Sequence, residues 1–188
     1  LDAGRFVLYY TPGTLPAQAP QSVADLVLAA LAHHEQLLSV TVAGSFDVYA
    51  AGSLFVPPDQ PLRGRSFSGD RRTFFLDDGS GTPVERAYIA AHELTHLVAW
   101  NTLGAPSSVM LSEGLAVYAG MDFAGINSVG GQELLPLVDF CAAYQQAGVL
   151  PHVAQELDYL GHIRNLENYY SAGCFVQFLI ERYGAGPF

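Results

Sequence analysis

The stretch His92-Glu93-Leu94-Thr95-His96 has the residue types and the spacing of a metal-dependent hydrolytic site. Residues four apart lie on the same face of a helix, so the imidazoles of His92 and His96 can meet one metal ion. Glu93 can project beside that ion and take a proton from water. The same H-E-x-x-H pattern also fits a helix with two exposed histidines and a solvated glutamate, but the surrounding residues argue against this alternative.

A helix is well specified around these residues. Thr82-Pro83-Val84-Glu85 has the form of a capping box with proline at the first helical position. Small and apolar residues then recur at helical spacing as far as Ala99, and Gly104 follows the expected end. The sequence therefore predicts a helix of about twenty residues, roughly 30 Å long, which holds both histidines in its middle.

A third metal ligand is needed, because catalytic zinc commonly has three protein ligands and a water. The candidate is Glu113. The segment from Asn101 to Pro106 has the residues of a turn, and Ser112 is a suitable N-cap for a second helix, with Glu113 in its first turn. A reversal of this length can return the carboxylate to the histidine face. The alternative is that Glu113 only caps its own helix.

Three motifs follow one another in the chain: H-E-L-T-H at 92–96, L-S-E-G-L-A-V-Y at 111–118, and Y-Y-S-A-G-C-F-V-Q-F-L-I-E-R-Y-G at 169–184. Together they resemble the gluzincin zinc metallopeptidases, most closely the peptidase MA-like domains related to neutral aminopeptidases and thermolysin. The resemblance spans roughly residues 82 to 184.

The resemblance implies a zincin-like fold, and it implies one Zn²⁺ per chain on His92, His96 and Glu113. Glu93 would be the general base, and the substrate a peptide or protein. In the aminopeptidase relatives a tyrosine donates a hydrogen bond to the oxyanion, and the Y-x-x-G spacing matches that residue to Tyr170 rather than Tyr169.

Two positions depart from the family pattern. Thermolysin-type relatives have an aspartate four residues after the third ligand to orient a histidine, and Val117 stands there in this chain. A different residue must therefore orient the histidines. The G-x-M-E-N segment that holds a substrate's free amine in the aminopeptidases is absent upstream of His92, where the residues are 71–79. The choice between endopeptidase and exopeptidase action stays open.

The remaining pattern predicts an α+β fold in one domain, residues 1–188. A small mixed sheet with helices occupies 1–81, and a mainly helical part with the zinc site occupies 82–188. The predicted strands are at 5–11, one or two within 40–55, and a strand or hairpin at 66–77. The predicted helices are at 19–39, 112–122, 134–146, 153–159 and 168–183. The resemblance to gluzincins further implies that residues Thr73 to Leu76 form the edge strand that faces an extended substrate.

The amino-acid composition limits the classes of partner that the protein can bind. The net charge of −10, with eight arginines and no lysine, disfavours nucleic acid and anionic membranes. The cluster of Arg63, Arg65, Arg71 and Arg72 suits a solvated face or the reading of a substrate carboxylate. No apolar run reaches the roughly 18 residues of a membrane span.

The two cysteines, Cys141 and Cys174, suit either a disulfide or two buried thiols. The first residues do not form a signal peptide, so we expect a mature protein or a part of a longer chain. An extracytoplasmic compartment is expected, because a free peptidase would endanger its own cytoplasm. Two other functions remain open: a zinc hydrolase of non-peptide amides or esters, and a metal-binding domain that does not cleave.

Overall fold

The computed structural model describes residues 1–52, 63–79, 81–126, 136–148 and 166–185. In these residues a four-stranded mixed sheet precedes a set of long helices. The elements are β1 (Phe6–Tyr10), α1 (Leu15–Gln18), α2 (Pro20–Leu38), β2 (Phe46–Ala51), β3 (Gly64–Phe67), a 3₁₀ turn (Ser68–Asp70), β4 (Arg72–Leu76), α3 (Pro83–Thr102), α4 (Val109–Ile126), α5 (Leu137–Ala147) and α6 (Leu166–Tyr183). The predicted α+β class is confirmed, with all these strands in the first part of the chain. The helix predicted at 153–159 lies outside the described residues.

The sheet has the order β1-β2-β4-β3, in which β1, β2 and β4 are parallel and β3 is antiparallel to β4. Alternate strand residues point to one face and are buried against α2 and α3, as in Phe6, Leu8, Val48 and Phe75. These buried side chains hold α3 against one face of the sheet.

The edge strand differs from the prediction. Residues Thr73 to Leu76 belong to β4, which pairs with β2 on one side and β3 on the other, so the expectation that they face substrate is wrong. The segment 66–77, which was predicted to be a strand or a hairpin, is part of a hairpin. The turn of this hairpin includes Arg71 at φ +56°. The Arg71 side chain donates to Ser45 O at 2.9 Å and to Asn101 Oδ1 at 2.9 Å. These hydrogen bonds hold the turn against α3. Strand β3 then lies at the edge of the sheet.

Helix α3 begins and ends where the sequence predicts. The Glu85 amide donates to Thr82 Oγ1 at 3.2 Å, and the Thr82 amide donates to Glu85 Oε2 at 2.7 Å, which completes the capping box. Gly104 follows the helix at φ +99°. The predicted helix is confirmed.

Helix α4 begins three residues before the predicted cap. The amide of Leu111 donates to Ser108 Oγ at 3.1 Å, so Ser108 rather than Ser112 satisfies the helix start. The prediction of an N-cap at Ser112 is wrong, because a suitable serine four residues earlier already caps the helix. Ser112 and Glu113 consequently lie within the helix, with their side chains free for other contacts.

Helices α4 and α6 approach closely through glycines. A β-carbon on Gly114 would lie 2.5 Å from Ala172 O, and one on Gly173 would lie 2.6 Å from Val117 Cγ1. Val117 is fully buried in this contact, an environment that suits an apolar side chain at this position. A disulfide between Cys141 and Cys174 joins α5 to α6, which decides between the two predicted states of the cysteines. No described helix has the length and apolarity to span a membrane.

Candidate metal centre

Helices α3 and α4 bring together the three side chains that the sequence selected as ligands. Glu113 Oε2 lies 3.3 Å from His92 Nε2 and 3.4 Å from His96 Nε2. One ligand atom from each of the three residues falls within 4.8 Å of the other two. The three side chains are 12%, 14% and 21% exposed, so they form a partly closed site at the surface of the helix pair.

The donor set and its spacing fit a zinc ion. Two imidazole nitrogens and one carboxylate oxygen are usual ligands for zinc, and ligand atoms placed tetrahedrally at 2.0–2.2 Å lie about 3.4 Å from one another. The two distances from the Glu113 oxygen match that separation.

The charges of the site favour a bound cation. Burial alone would raise the pKa of Glu113, but hydrogen bonds from His92 and His96 outweigh it and hold that pKa well below its usual range. Burial alone would lower the pKa of His96, but the hydrogen bond to Glu113 and the charges of Glu113 and Glu93 raise it. The Glu113 carboxylate therefore stays charged beside the two imidazoles, and a charged carboxylate oxygen is a ligand for a cation.

The second ring nitrogens of both histidines have protein neighbours. His96 Nδ1 lies 3.1 Å from Ser112 Oγ, and His92 Nδ1 lies 3.5 Å from the Tyr88 hydroxyl, which is a longer contact. With Nε2 turned to the ligand position, Nδ1–H donates to these oxygens. Such contacts fix the tautomer and the ring orientation. They supply the orienting residues that the sequence required but did not identify.

Glu93 is held against the sheet beside the histidines. Its side chain packs on Gly64 of β3, where an added β-carbon would lie 2.5 Å from Glu93 Oε1. Glu93 is 8% exposed, and burial raises the pKa of its carboxyl group against the opposing charges of His92, His96 and Arg65. A carboxylate with a raised pKa is a stronger base, as a general base requires.

Of the two adjacent tyrosines of α6, Tyr169 is the one with a ring contact to His92. Its ring centroid lies 6.3 Å from that of His92, and burial together with the charges of Glu113 and Glu93 raises the pKa of Tyr169 to about 12. Tyr170, the residue selected by motif spacing, stacks on Phe140 with ring centroids 4.5 Å apart. Consecutive residues point about 100° apart around a helix, so the two tyrosines of α6 point in different directions.

Four residues of this arrangement were missed or misassigned by sequence reasoning. Tyr88 lies four residues before His92, so helical spacing alone could have found it. Ser112 was interpreted as a cap. Motif spacing selected Tyr170 rather than Tyr169, and the catalytic role of Tyr170 stays a prediction. Gly64 had no local signal, since its contact with Glu93 joins residues 29 apart in the chain.

The chain matches no protein-family model and no curated protein. The function therefore has to be argued from the geometry of these residues.

Proposed function

We propose that this protein is a zinc-dependent peptidase with a zincin-like fold, of the gluzincin kind that its motifs resemble. The observation that carries the proposal is the Glu113 carboxylate within 3.4 Å of both histidine Nε2 atoms, with Glu93 buried next to them. A bare pair of histidines on a helix would not need a carboxylate from a second helix at tetrahedral spacing.

His92, His96 and Glu113 would hold one zinc ion per chain. Zinc in such a site supplies Lewis-acid chemistry, since it acidifies water and polarises a carbonyl group. Ser112 and Tyr88 keep the two imidazoles oriented, and the buried position of the three ligands limits competition from solvent.

Glu93 would act as the general base. Its carboxylate accepts a proton from the attacking water and returns it to the leaving amine as the peptide bond breaks. The backbone of Gly64 supports the carboxylate from the side of the sheet. A raised pKa suits both halves of this task, because the group must first take and later release the same proton.

Tyr169 is the better placed of the two tyrosines to donate a hydrogen bond to the developing oxyanion. With a pKa of about 12, its hydroxyl keeps its proton at neutral pH and remains a donor. The disulfide joins α6 to α5 at Cys174, five residues after Tyr169, and so helps to hold the tyrosine in place. It also favours an oxidising, extracytoplasmic compartment as the place of action.

The first experiment is metal analysis together with peptide cleavage. We expect about one zinc per chain in the wild-type protein and in Glu93→Gln, with much less in Glu113→Ala. A peptide library should be cut by the wild type and left intact by Glu93→Gln. Zinc absent from protein purified without chelator would refute the metal site. Zinc present without peptide cleavage would refute the peptidase and favour a non-peptide hydrolase or a non-cleaving domain.

A further inference from the structure

Strand β3 forms one edge of the described part of the sheet. Among the described residues no strand pairs with β3 on the side away from β4. The amide of Leu76 donates to Arg63 O at 2.7 Å, so residues 63, 65 and 67 direct their backbone groups towards β4. Gly64 and Ser66, which alternate with them, direct their N–H and C=O groups outwards. An extended peptide can therefore join the sheet here.

A peptide joined to this edge passes beside the candidate base. Gly64 contacts the Glu93 side chain so closely that no β-carbon fits between them. A peptide group hydrogen-bonded to Gly64 would thus lie next to Glu93, and the residues that follow along the edge would lie beside Arg65, Ser66 and Phe67.

Arg65 and Phe67 point to the outer face of the sheet, away from the core. Arg65 is directly opposite Phe74 on β4, whereas the neighbouring Phe75 is buried against the helices. The Arg65 guanidinium lies 4.9 Å from the centre of the Phe67 ring, which is 41% exposed. Among the ion pairs of the described residues, none includes Arg65.

We propose that the peptide bound by this site carries an acidic side chain beside Arg65 and an apolar side chain two residues away, beside Phe67; this inference rests on the proposed function. In an added strand, alternate side chains share a face, so two positions two residues apart meet the two outward side chains of β3.

The guanidinium group of Arg65 is suited to binding an acidic side chain of the peptide. Stacking on Phe67 holds the planar group by one face and leaves its N–H edge available for a carboxylate. The net charge of −10 disfavours acidic peptides at long range, so the preference must come from direct contact with Arg65. A preference caused by contact with Arg65 can therefore be distinguished from an effect of the net charge.

The test is peptide binding to the zinc-loaded Glu93→Gln protein, which is expected to bind without cleaving. Fluorescently labelled extended peptides would contain Glu-x-Phe, Gln-x-Phe or Lys-x-Phe in one shared sequence, and anisotropy would give each Kd. We expect the Glu peptide to bind about two- to fivefold more tightly than the Gln peptide, and the Lys peptide to bind most weakly.

Two substitutions at Arg65 and one control then locate the preference. In the same background, Arg65→Gln should abolish the dependence on peptide charge, and Arg65→Glu should reverse it. Arg182→Glu makes the same change in net charge at the exposed end of α6 and should keep the wild-type preference.

An equal affinity for the three peptides would overturn the inference, and so would the absence of binding to any of them. The inference would also be overturned if Arg65→Glu and Arg182→Glu changed the preference for peptide charge equally. Failure of the proposed function would show elsewhere, as a protein with intact Glu93 that binds zinc and peptide but cuts nothing. The two failures are therefore distinguishable.

Discussion

Ser112 Oγ lies 3.1 Å from Nδ1 of His96, while the next residue along α4, Glu113, turns its carboxylate to Nε2 of the same ring. Two consecutive residues of one helix thus contact both nitrogens of a histidine on another. The ring cannot rotate without losing both contacts, so in the proposed zinc site α4 would both supply a ligand and orient a second one.

Substitution of Ser112 tests this relationship. Ser112→Ala should weaken zinc affinity by about 10- to 100-fold, as is usual when a residue that orients a metal ligand is lost, and the fold should persist. Ser108→Ala is the matched control on the same helix. It removes the cap and should lower the free energy of unfolding by about 1 kcal/mol with zinc affinity unchanged. Competition with a zinc-binding dye measures the affinity, and equal affinities in the two variants would contradict the role of Ser112.

The two adjacent tyrosines can be separated by kinetics. Tyr169→Phe should reduce kcat about 100-fold, as the loss of one oxyanion donor does, with zinc content unchanged. Tyr170→Phe keeps the aromatic stack on Phe140 and should change kcat much less. The reverse order of effects would return the role to Tyr170, the residue that motif spacing selected.

Gly64 should be needed for activity although it carries no side chain. In Gly64→Ala the new β-carbon would collide with the Glu93 carboxylate, and a displacement of about 1 Å can lower the rate about 100-fold. Zinc content should stay the same, since no ligand moves. Gly69→Ala, in the turn that follows β3, has open space around the added carbon and should retain activity. Full activity in both variants would show that Glu93 is not positioned by β3.

His34 should make folding stability depend on pH. It is fully buried, its Nε2–H donates to Ala91 O at 2.9 Å, and burial lowers its pKa from 6.5 to about 4. Below pH 6.5 the unfolded chain binds a proton that the folded chain does not accept until about pH 4, so stability falls as pH falls through this window. At about 1.4 kcal/mol per unit the loss approaches roughly 3 kcal/mol.

Urea unfolding of zinc-free protein at pH 7.0, 6.0, 5.0 and about 4.5 would measure this loss. His34→Gln retains a donor for Ala91 O but cannot titrate, so its stability should change less over the same range. A wild type and a variant with parallel pH profiles would contradict the assignment to His34.

The sequence by itself determined α3 and its caps and selected the three candidate ligands, because these signals are mostly local. A capping box lies within four residues, and His92 and His96 share a helix face at any location in a fold. Glu113 reaches the histidines because the chain reverses its direction between α3 and α4. The turn residues between these helices already indicated this reversal.

The tertiary structure alone decided which strand forms the sheet edge, which tyrosine meets His92 and which serine orients His96. Strand order depends on the hairpin held by Arg71 against α3, and the rotation of α6 depends on the close contact of Gly114 and Gly173 with the facing helix. These contacts join residues far apart in the chain. Their outcome is set by packing volume and shape, which no short segment of sequence encodes.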